Sequence, residues 1–170
     1  MNKQTQAIID ASIQLENNVA NLYSIFYATF EKHTEFWWHL HLEERNHASL
    51  IKTIRDYFEP AGVLPDDLLH GDIQEINHCS TAITNLIRQY DSQPPDEAEA
   101  FNTALAIEKT ACEAHYQHFM TSHEQLGSLF RRLNQDDKDH YDRIKAYMES
   151  NDIPVMQVGP LQELLICHHT

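Results

Sequence analysis

The stretch HLHLEERNH, residues 39–47, sets two adjacent glutamates, Glu43 and Glu44, ahead of His47, which follows Glu44 at plus three. RRLNQDDKDH, residues 131–140, repeats the arrangement with Asp136, Asp137 and His140. Residues three apart on a helix lie on one face, so Glu44 and His47 can grip one ion together, as can Asp137 and His140. Upstream of each motif stands another carboxylate at nearly the same distance. Glu16 lies 28 residues before Glu44, and Glu108 lies 29 before Asp137. The neighbours correspond as well: Leu15 with Ile107, Trp37 with Phe130, Leu40 with Leu133. The chain therefore reads as an internal duplication of a helical hairpin.

Glu16 shares an apolar stripe with Ile13, Val19 and Tyr23, and Glu108 shares one with Leu105, Cys112 and Phe119. A carboxylate on such a stripe is expected to face the core, where an uncompensated charge is costly. Glu16, Glu44, His47, Glu108, Asp137 and His140 would compensate one another through two cations. Each ion would take one histidine and one terminal glutamate, with Glu44 and Asp137 bridging. An acid-x-x-His match alone carries little in a chain this rich in acids and histidines, as EAHYQH at 113–118 illustrates. Two matches in register with two core-facing glutamates on other helices point to a di-metal site.

The remaining pattern supplies the helices. Ile8, Ile9, Leu15, Val19, Leu22 and Phe26 recur at three- and four-residue steps, predicting a helix from Lys3 to about Glu31. A second helix is expected from Thr34, as its N-cap, through Ile54, ended by Pro60, Gly62 and Pro65. A minor helix follows over Ile73 to Tyr90. Pro94 and Pro95 open a third long helix with Asp96 and Glu97 in its first turn, running to about Thr121. A fourth runs from about Glu124 through Tyr147. Residues 1–150 form one domain and 151–170 a tail, with a short helix at LQELLI as one reading. Two hairpins joined by a long crossover with a minor helix make an all-α, ferritin-like antiparallel four-helix bundle.

Composition agrees. The 170 residues contain only four glycines and six prolines, with 42% apolar and 22% charged residues, as suits a soluble all-α domain. A net charge of −14 repels phosphate backbones, so nucleic acid is not an expected partner, whereas cations are. No apolar run approaches the roughly twenty residues of a membrane span. The three cysteines form no C-x-x-C, which excludes a zinc ribbon or rubredoxin-type iron site, and a cytoplasmic location is the default expectation.

The segments LENNVANLY (15–23), LHLEERNHASL (40–50), IEKTACEAHY (107–116) and LNQDDKDHYDRI (133–144) carry a resemblance. Over about residues 5–150 the chain resembles the rubrerythrin branch of the ferritin-like di-iron carboxylate family. The resemblance implies Glu16 and Glu108 as terminal ligands, Glu44 and Asp137 as bridges, and His47 and His140 as terminal nitrogen ligands. It implies two iron ions as cofactor, with manganese or zinc as alternatives, and a homodimer. It also implies an oxidoreductase reacting with peroxide or dioxygen and re-reduced by an external electron donor, a rubredoxin or a reductase. Three departures stand out. Asp137 replaces a glutamate, Ala111 stands where peroxide-reducing relatives carry a further glutamate, and the rubredoxin-like module is absent. Two other readings stay open: an iron-binding, sequestering protein without efficient turnover, and a structural bundle with a degenerate site.

Tyr23 and Tyr27 follow Glu16 along its helix, as core aromatics, as donors to a ligand or as radical quenchers. Cys112 and His115 are read as packing residues that could also face the metals. The terminal CHHT is read as a loose tail.

Overall fold

The computed structural model describes residues 3–58, 60, 73–109 and 140–156, and no strand occurs among them. The described residues are all-α in class. Its elements are α1 (Lys3–Thr29), a single 3₁₀ turn (Glu31–His33), α2 (Thr34–Phe58), α3 (Ile73–Ser92), α4 (Glu97–Lys109) and α5 (140–150).

Local chemistry fixes the ends. Thr34 is the first residue of α2 rather than its N-cap, with φ −52° and ψ −50°. The 3₁₀ turn runs straight into α2, and the Thr34 hydroxyl donates to the Glu31 carbonyl at 2.8 Å. Asp96 does cap α4. Its Oδ1 accepts the Glu99 N–H at 2.8 Å, and its carbonyl accepts the first helical bond, from Ala100, at 3.0 Å. Pro94 and Pro95 therefore precede the cap instead of forming the first turn. Beyond α5, Asp152 takes the left-handed conformation at φ 57°. The Ile153 N–H then reaches back to the Met148 carbonyl at 2.9 Å, with both side chains buried, as in a Schellman closure.

Side-chain pairs give the helix directions. Asp10–Arg55, Asn17–Arg45, Ala20–His41 and Tyr27–Trp38 set α1 antiparallel to α2. Asn18 against Ser80 and Phe26 against Tyr90 set α3 parallel to α1. His33–Glu97 and Trp37–Phe101 make α4 follow the direction of α2. Phe36–Tyr147 and Glu43–Arg143 set α5 antiparallel to α2.

Every residue of α4 from Ala100 to Glu108 is buried, as expected of a helix covered on all sides. The core centres on Trp37, whose ring lies 4.4 Å from Phe101, 4.9 Å from Phe26, 5.3 Å from Phe36 and 5.8 Å from Tyr23, centroid to centroid. Rings at these spacings, tilted rather than sandwiched, add attraction beyond their buried area. Asn102 secures the segment after α5. Its amide donates to the Pro154 carbonyl at 2.8 Å and its Oδ1 accepts the Met156 N–H at 2.7 Å.

Cys79 on α3 is disulfide-bonded, which the odd, widely spaced cysteines do not announce. No helix among the described residues is long and apolar enough to cross a membrane. The third long helix beyond Lys109, the beginning of the fourth, the Gly62–Pro65 break, LQELLI and CHHT lie outside the described residues.

Candidate metal centre

Four helices each bring a side chain to one buried point. In α1, Ser12, Leu15, Glu16, Val19 and Tyr23 lie on the face turned inward, which carries Glu16 into the core. In α2, Glu44 and His47 sit one turn apart on the face that also buries Leu40 and Ile51. Glu108 comes from the fully covered α4, and His140 from the first described turn of α5. All five are at least nine-tenths buried.

They form two groups, Glu16–Glu44–His47 and Glu44–Glu108–His140, within each of which the potential ligand atoms lie within 4.8 Å of one another. Glu44 belongs to both. Its Oε2 is 3.1 Å from His47 Nδ1, and its Oε1 is 3.0 Å from His140 Nδ1. The outer glutamates match in turn: Glu16 Oε2 is 3.6 Å from His47 Nδ1, and Glu108 Oε2 is 3.6 Å from His140 Nδ1. The two imidazoles stack, 5.4 Å between centroids and 18° apart. Each half thus presents one Nδ1 and two carboxylate oxygens, the halves joined through one carboxylate.

The charges interact strongly. Burial pushes the Glu16 carboxyl up to about 7, against the hydrogen bond from His47. Burial works equally against the charged form of Glu44, yet His47 and His140 hold it well below the usual carboxylate range. Burial disfavours a charged His47, but Glu44 and Glu16 outweigh it and raise the ring to about 11. For the same reason Glu108 and Glu44 hold His140 well above its ordinary value.

Hydrogen bonding among the protein groups does not exhaust the site. Glu44 Oε1, Glu108 Oε2 and both ring nitrogens of His140 are buried without a hydrogen-bond partner among the described residues, although Nδ1 stands so close to both oxygens. The atoms are near but misaligned for N–H···O bonding, as they would be if their lone pairs shared a central target. Ligands about 2.1 Å from an ion and roughly 90–110° apart are themselves about 3.0–3.5 Å apart, close to the 3.0–3.6 Å between ring nitrogens and carboxylate oxygens here. These residues fit a pair of cations. Mixed carboxylate and imidazole donors suit iron, manganese or zinc.

Surrounding residues steady the donors. Tyr23, wholly buried, donates its O–H to Glu108 Oε1 at 2.6 Å, which leaves Oε2 directed at the second group. Tyr23 is therefore both a core aromatic and a partner of a candidate ligand. Tyr27 is neither, lying half-exposed against Trp38. Glu43 Oε2 lies 3.2 Å from His140 Nε2, on the side of the ring away from the other donors. Arg143 grips Glu43 with both terminal nitrogens, Nη1 to Oε1 at 2.8 Å and Nη2 to Oε2. Burial raises the Glu43 carboxyl, but Arg143 and His140 bring it down to about 2. A fixed negative charge behind a histidine orients the ring and raises its basicity as a ligand.

The structure thus brings together Glu16, Glu44, His47, Glu108 and His140, while Asp137, Ala111, Cys112 and His115 lie outside the described residues. His41 is turned away, its Nδ1 on the Ala20 carbonyl at 2.8 Å. The sequence reading passed over Glu43 and Arg143 as partners of the site. The doubled acids Glu43–Glu44 and Asp136–Asp137 were the signal for the first; Arg143, three residues after His140, has none of comparable strength. In comparison with known proteins, no family model, no curated protein and no solved structure matches the chain.

Proposed function

We propose that the protein is a ferritin-like four-helix bundle holding two metal ions, iron in the first instance, and acts as a rubrerythrin-like oxidoreductase toward peroxide or dioxygen. The helix directions support the bundle: α1 and α2 form one hairpin, α3 lies in the crossover between them and α4, and α4 and α5 run as the second pair. One observation carries the site: Glu44 offers one carboxylate oxygen to each of two matched groups. That is how a carboxylate bridges two ions, and a lone buried ion pair has no use for it.

Two redox ions held there would supply the two electrons that cleavage of an O–O bond requires. The chain's own residues do the rest. Glu44 fixes the spacing between the halves, His47 and His140 present Nδ1 along converging directions, and Tyr23 holds one oxygen of Glu108 out of the second group. Leu15, Val19 and Ile107, all buried, exclude bulk water from the carboxylates. An external one-electron donor and a homodimer belong to the same reading.

The test is metal content per chain of protein purified without chelator, followed by anaerobic reduction and stopped-flow addition of peroxide. Two ions per chain and oxidation of bound ferrous iron faster than that of free ferrous ion are expected, with repeated turnover once a reductant is present. Uptake well beyond two irons per chain, retained after oxidation, would make the protein a sequestering one. A chain that binds no metal leaves only a structural bundle.

A further inference from the structure

A cleft of about 300 Å³ opens at the corner where α1 gives way to α2, lined by Lys32, His33, Glu35, Phe36, His39 and Tyr147. None of these residues belongs to the two donor groups of the candidate centre. The cleft is built on a buried imidazole. His33, 1% exposed, has Nε2 on the Glu97 carboxylate and Nδ1 2.9 Å from Tyr147 Oη. A carboxylate only accepts, so in the neutral ring Nε2 carries the proton and Nδ1 takes the hydrogen bond of the phenol. Tyr147 thereby commits its one O–H inward, and its oxygen has only acceptor capacity left.

The charges of the cleft do not balance. Lys32 Nζ lies 3.8 Å from Glu97 Oε1, so its one lysine is matched by the carboxylate that also holds His33. Glu35, exposed in the first turn of α2, has no hydrogen bond or ion pair among the described residues. Burial first, then Glu97 and Glu35, raise the Tyr147 phenol above its ordinary value, so both carboxylates act on that oxygen. The apolar share of the lining is the Phe36–Tyr147 stack, 4.0 Å between centroids and 22° apart. Free acceptors, an unmatched negative charge and a flat apolar wall call for a positive ligand that donates hydrogen bonds and carries methylenes. A bare metal ion does not answer, because neither converging group of donors among the described residues includes Glu35 or His39. An anion would meet Glu35 in a chain of net charge −14.

We propose that this cleft binds a primary alkylammonium, the charged end of a short diamine. The ammonium, with three N–H donors, bonds to the Glu35 carboxylate and to Tyr147 Oη. The methylene chain lies along the Phe36–Tyr147 stack, where its apolar surface leaves water. His33 is tied to Glu97 on α4 and to Tyr147 on α5, so the phenol oxygen is set as an acceptor before the ligand arrives. The inference stands apart from the metal chemistry proposed above, and neither needs the other.

The test titrates putrescine, a four-carbon diamine, into the full chain in about 0.15 M salt, where surface attraction is screened beyond about 8 Å. Heteronuclear magnetic resonance should show saturable shifts at Glu35, Phe36 and Tyr147, with a Kd on the order of a millimolar. The diol of the same length, neutral at both ends, should bind at least about tenfold more weakly. Glu35→Gln should weaken putrescine about tenfold and Tyr147→Phe about fivefold. Glu75→Gln, exposed on α3 and outside the cleft, should leave the Kd unchanged. Glu35→Gln breaks no buried bond, so it carries the test should Tyr147→Phe prove unstable. Diol binding as tight as that of the diamine overturns the site. So does a Kd that Glu35→Gln and Glu75→Gln change equally, since that marks a general attraction to an acidic surface.

Discussion

Glu44→Gln keeps the volume of the side chain and removes its charge at the one residue shared by both groups. The carboxylate is fully buried, with a histidine nitrogen 3.1 Å from one oxygen and another 3.0 Å from the other. Removing one partner of a buried charge pair costs about 3–5 kcal/mol. At about 2–4 °C per kcal/mol for a chain of this size, the Tm of metal-free protein should fall by roughly 6–20 °C. Metal adds a second, separable effect. An ion present at about a hundred times its Kd stabilises by about 2.7 kcal/mol, or roughly 5–11 °C. Because Glu44 gives an oxygen to each group, Glu44→Gln should shrink that increment for both ions. Glu16→Gln touches one group and should spare the other. Circular dichroism melts with chelator and with anaerobic ferrous ion, beside metal analysis of the same samples, read both effects. Two ions per chain and a wild-type metal increment in Glu44→Gln would refute the bridging assignment, however far the metal-free Tm fell.

Three further outcomes are expected. With His47 raised to about 11 and His140 well above its ordinary value, both rings are protonated at pH 7, so an incoming cation must displace their protons. Calorimetric titration with manganese in buffers of different ionisation enthalpy should show proton release and an affinity rising with pH; release of none would undo the electrostatic account. The same shifts set the metal-free stability. The raised His47 contributes fully below its unfolded value of 6.5 and less as pH climbs toward about 11, while Glu16, raised to about 7, destabilises as pH rises above 4.5. The urea midpoint in chelator should therefore fall from pH 5 to pH 8, and a rise would contradict it. Tyr23→Phe removes a buried hydrogen bond to a carboxylate and should cost about 1.5–3 kcal/mol, with metal affinity down about 10- to 100-fold; equilibrium dialysis and urea melts report each.

Helices and the buried cluster of glutamates and histidines were legible in the sequence for one reason: both repeat at the period of the α-helix. Ile8, Leu15, Val19, Leu22 and Phe26 announce α1, and Glu44 and His47 fall on the inward face because they are three apart on a stripe with Leu40 and Ile51. Glu16 was legible because a charge on an apolar stripe demands a partner. What the sequence hides is lateral. Glu43 and Arg143 are 100 residues apart and meet only because α2 and α5 lie side by side. Thr34 matches a cap by type, but the 3₁₀ turn ahead of it changes which backbone groups need capping. Pro94 and Pro95 mark the boundary of α4 correctly and its first turn wrongly, since Asp96 next to them takes the capping position.

The turn between α1 and α2 bears on how the protein comes together. His33 lies in that turn, one residue before α2 begins, and is buried to 1% exposure. Its polar partners come from far along the chain: Glu97 is 64 residues away and Tyr147 is 114. A hairpin of two adjacent helices is ordinarily a fast, local unit, but this one cannot satisfy its own corner. Until α4 and α5 dock, the imidazole has to stay in water and the turn unsealed. The α1–α2 hairpin is thus begun early and finished last, and His33→Ala should quicken unfolding while leaving the refolding rate nearly unchanged in stopped-flow chevrons.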